Sequence, residues 1–399
     1  MPPVRNTAFQ RKLLLAAVCF QHLQSPLTTL EPPDLLNKVP LLFPLPPASN
    51  EALPHVLVSH QTDGRPRPMR GGCRITSTVL EEMDDRECLW WFRFTCSELL
   101  ELVDALQIPD PFITRSRYRL PAIEALCLLC ARLRSSGDQY ALSTYFLRPQ
   151  CTISEIVNEL SDYLNQTWSH LLHWDDKGLM HPDNLRKYAD ALVAYGIPVP
   201  TVFGLIDCTI RQTCRPTWYQ ELAYTGYKKF HGSKYQAVSL PNGLIGHLAG
   251  PFRAPQNDNG VYAESKLEEI LMEKAIQPGS VPSDPPHQRY FQVYGDSAYG
   301  LSAVMLSPYV SIGALTPEQE AWNKAMGRIR ISVEHAFGVV VTDWPFLNCF
   351  WKHKIWGTRC GTFYRVAALL TNAKSCFRPN QTAQRYGCMP PTVAEYFHE

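Results

Sequence analysis

The sequence predicts an α/β domain in its C-terminal half, a sheet flanked by helices, preceded by a helical domain. Three observations carry that expectation. Two runs, VFGLIDCTIR (residues 202–211) and YFQVYGDSAYG (290–300), are apolar on both faces, as strands buried inside a sheet are. Each carries one carboxylate, Asp207 and Asp296. A hairpin and a helical stretch lie between them, and a long helical candidate follows.

Bulk composition bounds the rest. A chain of 399 residues with 45% hydrophobic and 19% charged residues is globular and long enough for two domains. A net charge of +1 neither demands nor excludes a polyanionic partner, because local patches matter more than totals. The 13 cysteines are scattered, in no framework of a disulfide-stapled domain, and indicate a reducing compartment. No apolar run approaches the ~18 residues of a membrane span, so no membrane partner is expected. Arg11 and Lys12 before LLLAAVCF (13–20) resemble a signal peptide, but Gln21, His22 and Gln24 replace the small-residue cleavage site.

Residues 1–80 form a disordered, proline-rich region by composition, densest over 25–75. Its basic end (Arg65, Arg67, Arg70, Arg74) suits phosphate contact, a localisation signal or a solvated tail.

Residues 85–195 read as a helical, helix-turn-helix-like domain. Leu99, Leu102, Val103 and Leu106 recur at helical spacing, and Thr95 with Glu98 forms a capping-box pattern. Leu120 to Leu133 gives a second apolar helix that stops before Gly137. STYFLRPQCTISEIVNEL (143–160) has the shape of two helices joined by a turn at Arg148 and Pro149. Two readings stand: DNA contact by Arg148, Gln150, Ser154 and Asn158, or an ordinary helical hairpin whose Glu155, Glu159 and Asp162 oppose phosphate. Cys127, Cys130, His170 and His173 have the residue types of a zinc site, but both pairs sit on apolar helical faces, which favours core packing.

Residues 200–378 form the α/β domain, and 379–399 a C-terminal tail. Residues 233–240 and 244–250, joined by Pro241-Asn242-Gly243, predict an antiparallel hairpin. Residues 261–275 have a helical rhythm, 278–289 form a loop insertion, and 301–308 predict a short helix. Residues 317–341 predict a long helix with Ala325, Ile329, Ser332, Ala336 and Val340 on one stripe, and Glu334 on the buried side or its edge.

If the two strands are neighbours and the long helix packs across their ends, Asp207, Asp296 and Glu334 meet at one rim of the sheet. Clustered carboxylates repel and raise each other's pKa, a conflict that divalent cations resolve. Mg²⁺ or Mn²⁺ takes hard oxygen ligands and keeps positions open for water and phosphate. Two such ions about 3.5–4 Å apart clamp both oxygens of an in-line phosphodiester displacement.

The segments GLIDCTIRQTCRP, YTGYKKFHGSKYQAV, GPFRAPQNDNGVYAESKLEE, VYGDSAYG and NKAMGRIRISVEHAFGVVV resemble the DDE domain of Harbinger/PIF-type transposases and their domesticated relatives, over about residues 200–375. The resemblance implies a ribonuclease H-like mixed sheet, a catalytic triad at Asp207, Asp296 and Glu334, metal-dependent DNA cleavage and strand transfer, and a nuclear location. It further implies a separate Myb-like DNA-binding partner, and an enzyme that joins two DNA ends suits a homodimer. Cys208 replaces the small residue usual after the first Asp, and Val341, Thr342 and Asp343 replace basic positions after the Glu.

Lys228, Lys229, His231 and Lys234, interleaved with Tyr224, Tyr227 and Tyr235, are candidate DNA contacts, against a solvated basic loop. Arg328 and Arg330 are further candidates, facing phosphate or solvent. Asp258 reads as a fourth acid, an Asx turn or a helix N-cap. GDSAYG fails as a nucleophile elbow, because Tyr299 stands where the elbow needs Gly. The stronger rival is a domesticated, catalytically silent binder of DNA or protein, against which the retained triad argues.

Overall fold

A computed structural model of the chain describes residues 75–310 and 313–399. The signal-like stretch and the basic end of the proline-rich region lie outside the described residues. Order begins earlier than residue 80, however. Thr76 caps α1 (Ser77–Glu82) by accepting from Val79 N, and Ile75 and Leu80 are buried.

The helical region runs through α2 (Asp85–Phe92) and α3 (Cys96–Ala105), the latter opened by the Thr95/Glu98 capping box. A two-stranded ribbon, β1 (Phe112–Ile113) and β2 (Arg119–Leu120), leads into α4 (Ala122–Arg134). Every residue of α4 from Ala122 to Leu133 is buried, so this helix is the axis of the region. Cys127 and Cys130 are fully buried there, whereas His170 and His173 are exposed. Helices α5 (Gln139–Tyr145), α6 (Gln150–Trp168) and α7 (Pro182–Ala194) complete it.

The turn between α5 and α6 corrects the DNA-contact reading of Arg148. That guanidinium is buried and grips buried Glu124 with two hydrogen bonds of 2.8 Å. Two acids of α6 are engaged at the surface: Glu155 and Glu159 accept from Ser116 N and Arg115 N of the ribbon turn. This pair of helices is a hairpin held from within.

The sheet is built on β3 (Val202–Gln212). On one side, β5 (Phe230–Ser239) runs antiparallel to it, and β6 (Ile245–Arg253) antiparallel to β5. Pro241-Asn242-Gly243 forms the turn, with Gly243 at φ +80°. The one-turn α8 (Gln220–Ala223) leads into β4 (Tyr224–Thr225), which pairs with the start of β5. On its other side β3 pairs in parallel with β7 (Gln292–Tyr294), and β7 with β8 (Met305–Leu306). Three antiparallel strands followed by two parallel ones give a ribonuclease H-like mixed sheet flanked by helices.

Strand β8 replaces the helix expected over 301–308. Met305 and Leu306 align with Val293 and Tyr294, and the ladder outweighs any helical tendency of so short a run. The helical stretch after β6 is two helices, α9 (Asp258–Glu264) and α10 (Leu267–Lys274), broken by Lys266 at φ +55°. The insertion before β7 carries one helical turn, α11 (Pro286–Arg289).

The long α12 (Pro317–Asp343) starts at a Thr316/Gln319 capping box with Pro317 in its first turn. It is followed by α13 (Cys360–Phe377), α14 (Gln381–Tyr386) and α15 (Val393–Tyr396). Residues 379–399 are packed rather than a free tail, with Tyr386, Tyr396 and Phe397 buried. Asn372 of α13 accepts from Ile245 N and donates to Ile245 O, both at 2.9 Å, on the outer side of β6. Among the described residues, no helix is long and apolar enough to cross a membrane.

Candidate active site

Strand register brings Asp207 and Asp296 together. Leu205 of β3 lies opposite Tyr294 of β7 in the parallel pair, and each aspartate lies two residues further on. The ladder ends at that pair: Asp207 continues along β3 while Asp296 stands two residues beyond β7, near enough for its charge to act on the Asp207 carboxyl. Gly295 permits the close approach. A Cβ there would meet the Tyr299 ring at 2.7 Å and Ile206 Cγ2 at 2.9 Å. Gly295 N donates to Leu306 O at 2.9 Å, so the backbone stays in the sheet up to the acid.

The two carboxylates are held differently. Asp207 Oδ1 accepts from its neighbour Cys208 N, at 2.8 Å. Burial pushes the Asp207 carboxyl up to about 6, against the Cys208 N–H and the Arg330 charge, and Asp258 and Asp296 add to the rise. Asp296 Oδ1 accepts from Ala298 N at 2.9 Å, and its Oδ2 lies 3.6 Å from Arg330 Nη2.

Tyr299 and Cys208, not anticipated from sequence as a pair, form the wall beside the acids. The Tyr299 hydroxyl lies 3.3 Å from Cys208 Sγ, and burial drives both groups far above their ordinary pKa values. The signal was available in GDSAYG: an aromatic three residues past the acid folds back over the glycine before it.

Other candidates take other positions. Asp258, in the first turn of α9 behind the Asn257 cap, receives Lys234 Nζ at 2.8 Å. Lys234 is buried and also bonds Gln256 O, which corrects its reading as a phosphate contact. Lys228 and Lys229 are exposed, and His231 is half-buried against the Tyr224 ring. Arg328 is exposed, while Arg330 turns to the aspartates.

Glu334 is exposed on α12, not on its buried side, and opens on a cavity shared with His335, Gly338 and Asn380. The buried stripe of α12 passes through Met326, Ile329, Ser332, Val333, Phe337 and Val340, and so includes the expected Ile329, Ser332 and Val340. Among the described residues, no group of three His, Cys, Asp or Glu side chains gathers in metal-binding geometry. The aspartate pair fits a hard cation: two like charges share a partly desolvated rim, and among the described residues no side chain hydrogen-bonds Asp207. The third acid is not assembled with them.

The sheet order and the aspartate pair at its central parallel strands define this as a ribonuclease H-like domain. Residues 206–372 match the family described as DDE superfamily endonuclease. That match supports a transposase-type nuclease, a class that acts on DNA and generally uses divalent metals. No curated protein and no solved structure matches the chain.

Proposed function

We propose that the protein is a divalent-metal-dependent DNA endonuclease of the Harbinger/PIF type. The observation that carries this reading is the proximity of Asp207 on β3 and Asp296 just past the end of the parallel strand β7, with the Asp207 carboxyl already raised by burial. Asp207 and Asp296 would hold Mg²⁺ or Mn²⁺, with Glu334 as the third acid of a two-cation site. When bound, the cations activate the attacking oxygen and stabilise the leaving one. The chain's own contribution is to pin Asp207 through Cys208 N, to orient Asp296 through Ala298 N, and to wall off water with Tyr299.

The internal commitment of Arg148 supports a separate Myb-like protein for sequence recognition. Work on two DNA ends supports a homodimer, and a DNA substrate supports a nuclear location. A second reading, a silent DNA-binding relative, is favoured by one observation: Glu334 is exposed, and among the described residues it does not gather with the aspartates into a metal-binding group.

Plasmid nicking separates the two. Wild type should nick supercoiled DNA in Mn²⁺ or Mg²⁺, while Asp207→Asn and Glu334→Gln should not. Equal nicking by all three, or none by wild type, removes the nuclease reading.

A further inference from the structure

Beyond the C-terminal end of β3, two loops carry exposed aromatic rings, and one ring of each meets the other. Trp218 and Trp356 are each 71% exposed and Tyr227 is 92% exposed, with Tyr219 and Trp351 also on the surface. The loops are tied to one another. Thr213 N donates to His231 O and Cys214 N to His353 O, both at 2.8 Å, and the Tyr219 and Trp356 rings lie 6.3 Å apart.

The charge around these rings is one-sided. Arg215, Lys228, Lys229 and Lys354 are exposed, and Glu221 is the one acid within residues 213–231 and 350–359. Lys352 and Arg359 are engaged elsewhere, on Ser136 O and Asp162. The whole chain carries only +1, so this end of the sheet concentrates positive charge.

Several large aromatics left in water together mark a binding surface. Rings interleaved with cations suit a strand whose bases can stack and whose phosphates can be neutralised. A paired duplex hides its base faces, so the fitting partner is unpaired. The start of the platform is five residues along β3 from Asp207, on the order of 17 Å at about 3.3 Å per residue. A strand passing the aspartates reaches it.

We propose that this aromatic, basic platform binds single-stranded DNA flanking the cleavage site. The proposal rests on the nuclease reading for its substrate, but different residues carry it.

The test is fluorescence anisotropy of the full chain with a labelled mixed-sequence oligonucleotide, single-stranded or as blunt duplex, across a salt series in EDTA. Wild type should bind the single strand more tightly than the duplex, with quenching of tryptophan fluorescence. Trp356→Ala and Tyr227→Ala should each weaken single-strand binding about tenfold, the stacking loss of one base, and leave duplex binding nearly unchanged. Lys228→Ala with Lys229→Ala should weaken both DNAs and flatten the salt dependence. Equal affinity for duplex and single strand, or unaltered binding by both aromatic variants, overturns the proposal, as expected if the rings serve a protein partner instead. EDTA suppresses cleavage, so a failure of plasmid nicking and a failure of strand binding are separate results.

Discussion

Arg330 Nη2 lies 3.6 Å from Asp296 Oδ2, and the same guanidinium charge acts on Asp207. Helix α12 thus places a cation of its own beside the acid pair. Glu334 lies four residues further on, one helical turn along the same flank. A metal ion and Arg330 compete for the same carboxylate oxygens.

Removing that competitor should favour the metal. Arg330→Gln is expected to bind Mn²⁺ several-fold more tightly than wild type, read as a thermal-shift titration. A Mn²⁺ response equal to or weaker than that of wild type would show that Arg330 does not compete.

The raised Asp207 carboxyl has a signed pH consequence. A carboxyl whose folded pKa lies above its unfolded value costs stability when it ionises. The cost is absent below the ordinary value of about 4 and complete above about 6. Wild type therefore loses this contribution as pH rises through that window. Without metal, Asp207→Asn should melt higher than wild type at pH 8, the gap closing by pH 4. A gap independent of pH refutes the shift.

The Glu124–Arg148 pair is buried, so breaking it leaves a charge without a partner. Arg148→Ala should destabilise by about 3–5 kcal/mol in denaturant titration. A loss below about 1 kcal/mol, with DNA affinity reduced instead, would restore Arg148 as a contact residue.

Gly295→Ala tests the close approach beneath Asp296. The added methyl meets Tyr299 and Ile206 below 3 Å, and overpacking of that kind costs about 1–3 kcal/mol. Because the displaced backbone carries Asp296, nicking should fall by more than the stability loss explains. Wild-type nicking rates would show that the strand end tolerates the shift.

Much of the sheet was legible because its signals are local and redundant. The run around Asp207 is apolar on both faces, and Pro-Asn-Gly separates two strand-like runs. The Thr95/Glu98 box marked a helix start to the residue. What escaped depended on rotation or on distant partners. Ile329, Ser332 and Val340 of the expected α12 stripe are buried, yet at about 100° per residue Glu334 lies roughly 200° round from Ser332 and is exposed. That rotation decides whether Glu334 faces in or out. Lys234 and Lys228 look alike in sequence, yet only Lys234 finds Asp258, which lies 24 residues away. Arg148 is defined by Glu124 in the same way.

The amide of Asn372 offers Ile245 a donor and an acceptor in the arrangement that a neighbouring strand would supply. A helix side chain thereby impersonates a backbone and closes this margin of the sheet to further growth. Copies of the chain meeting in solution would find no open ladder at Ile245. Replacing Asn372 with an aliphatic residue would strand both polar groups of Ile245 in the interior without partners.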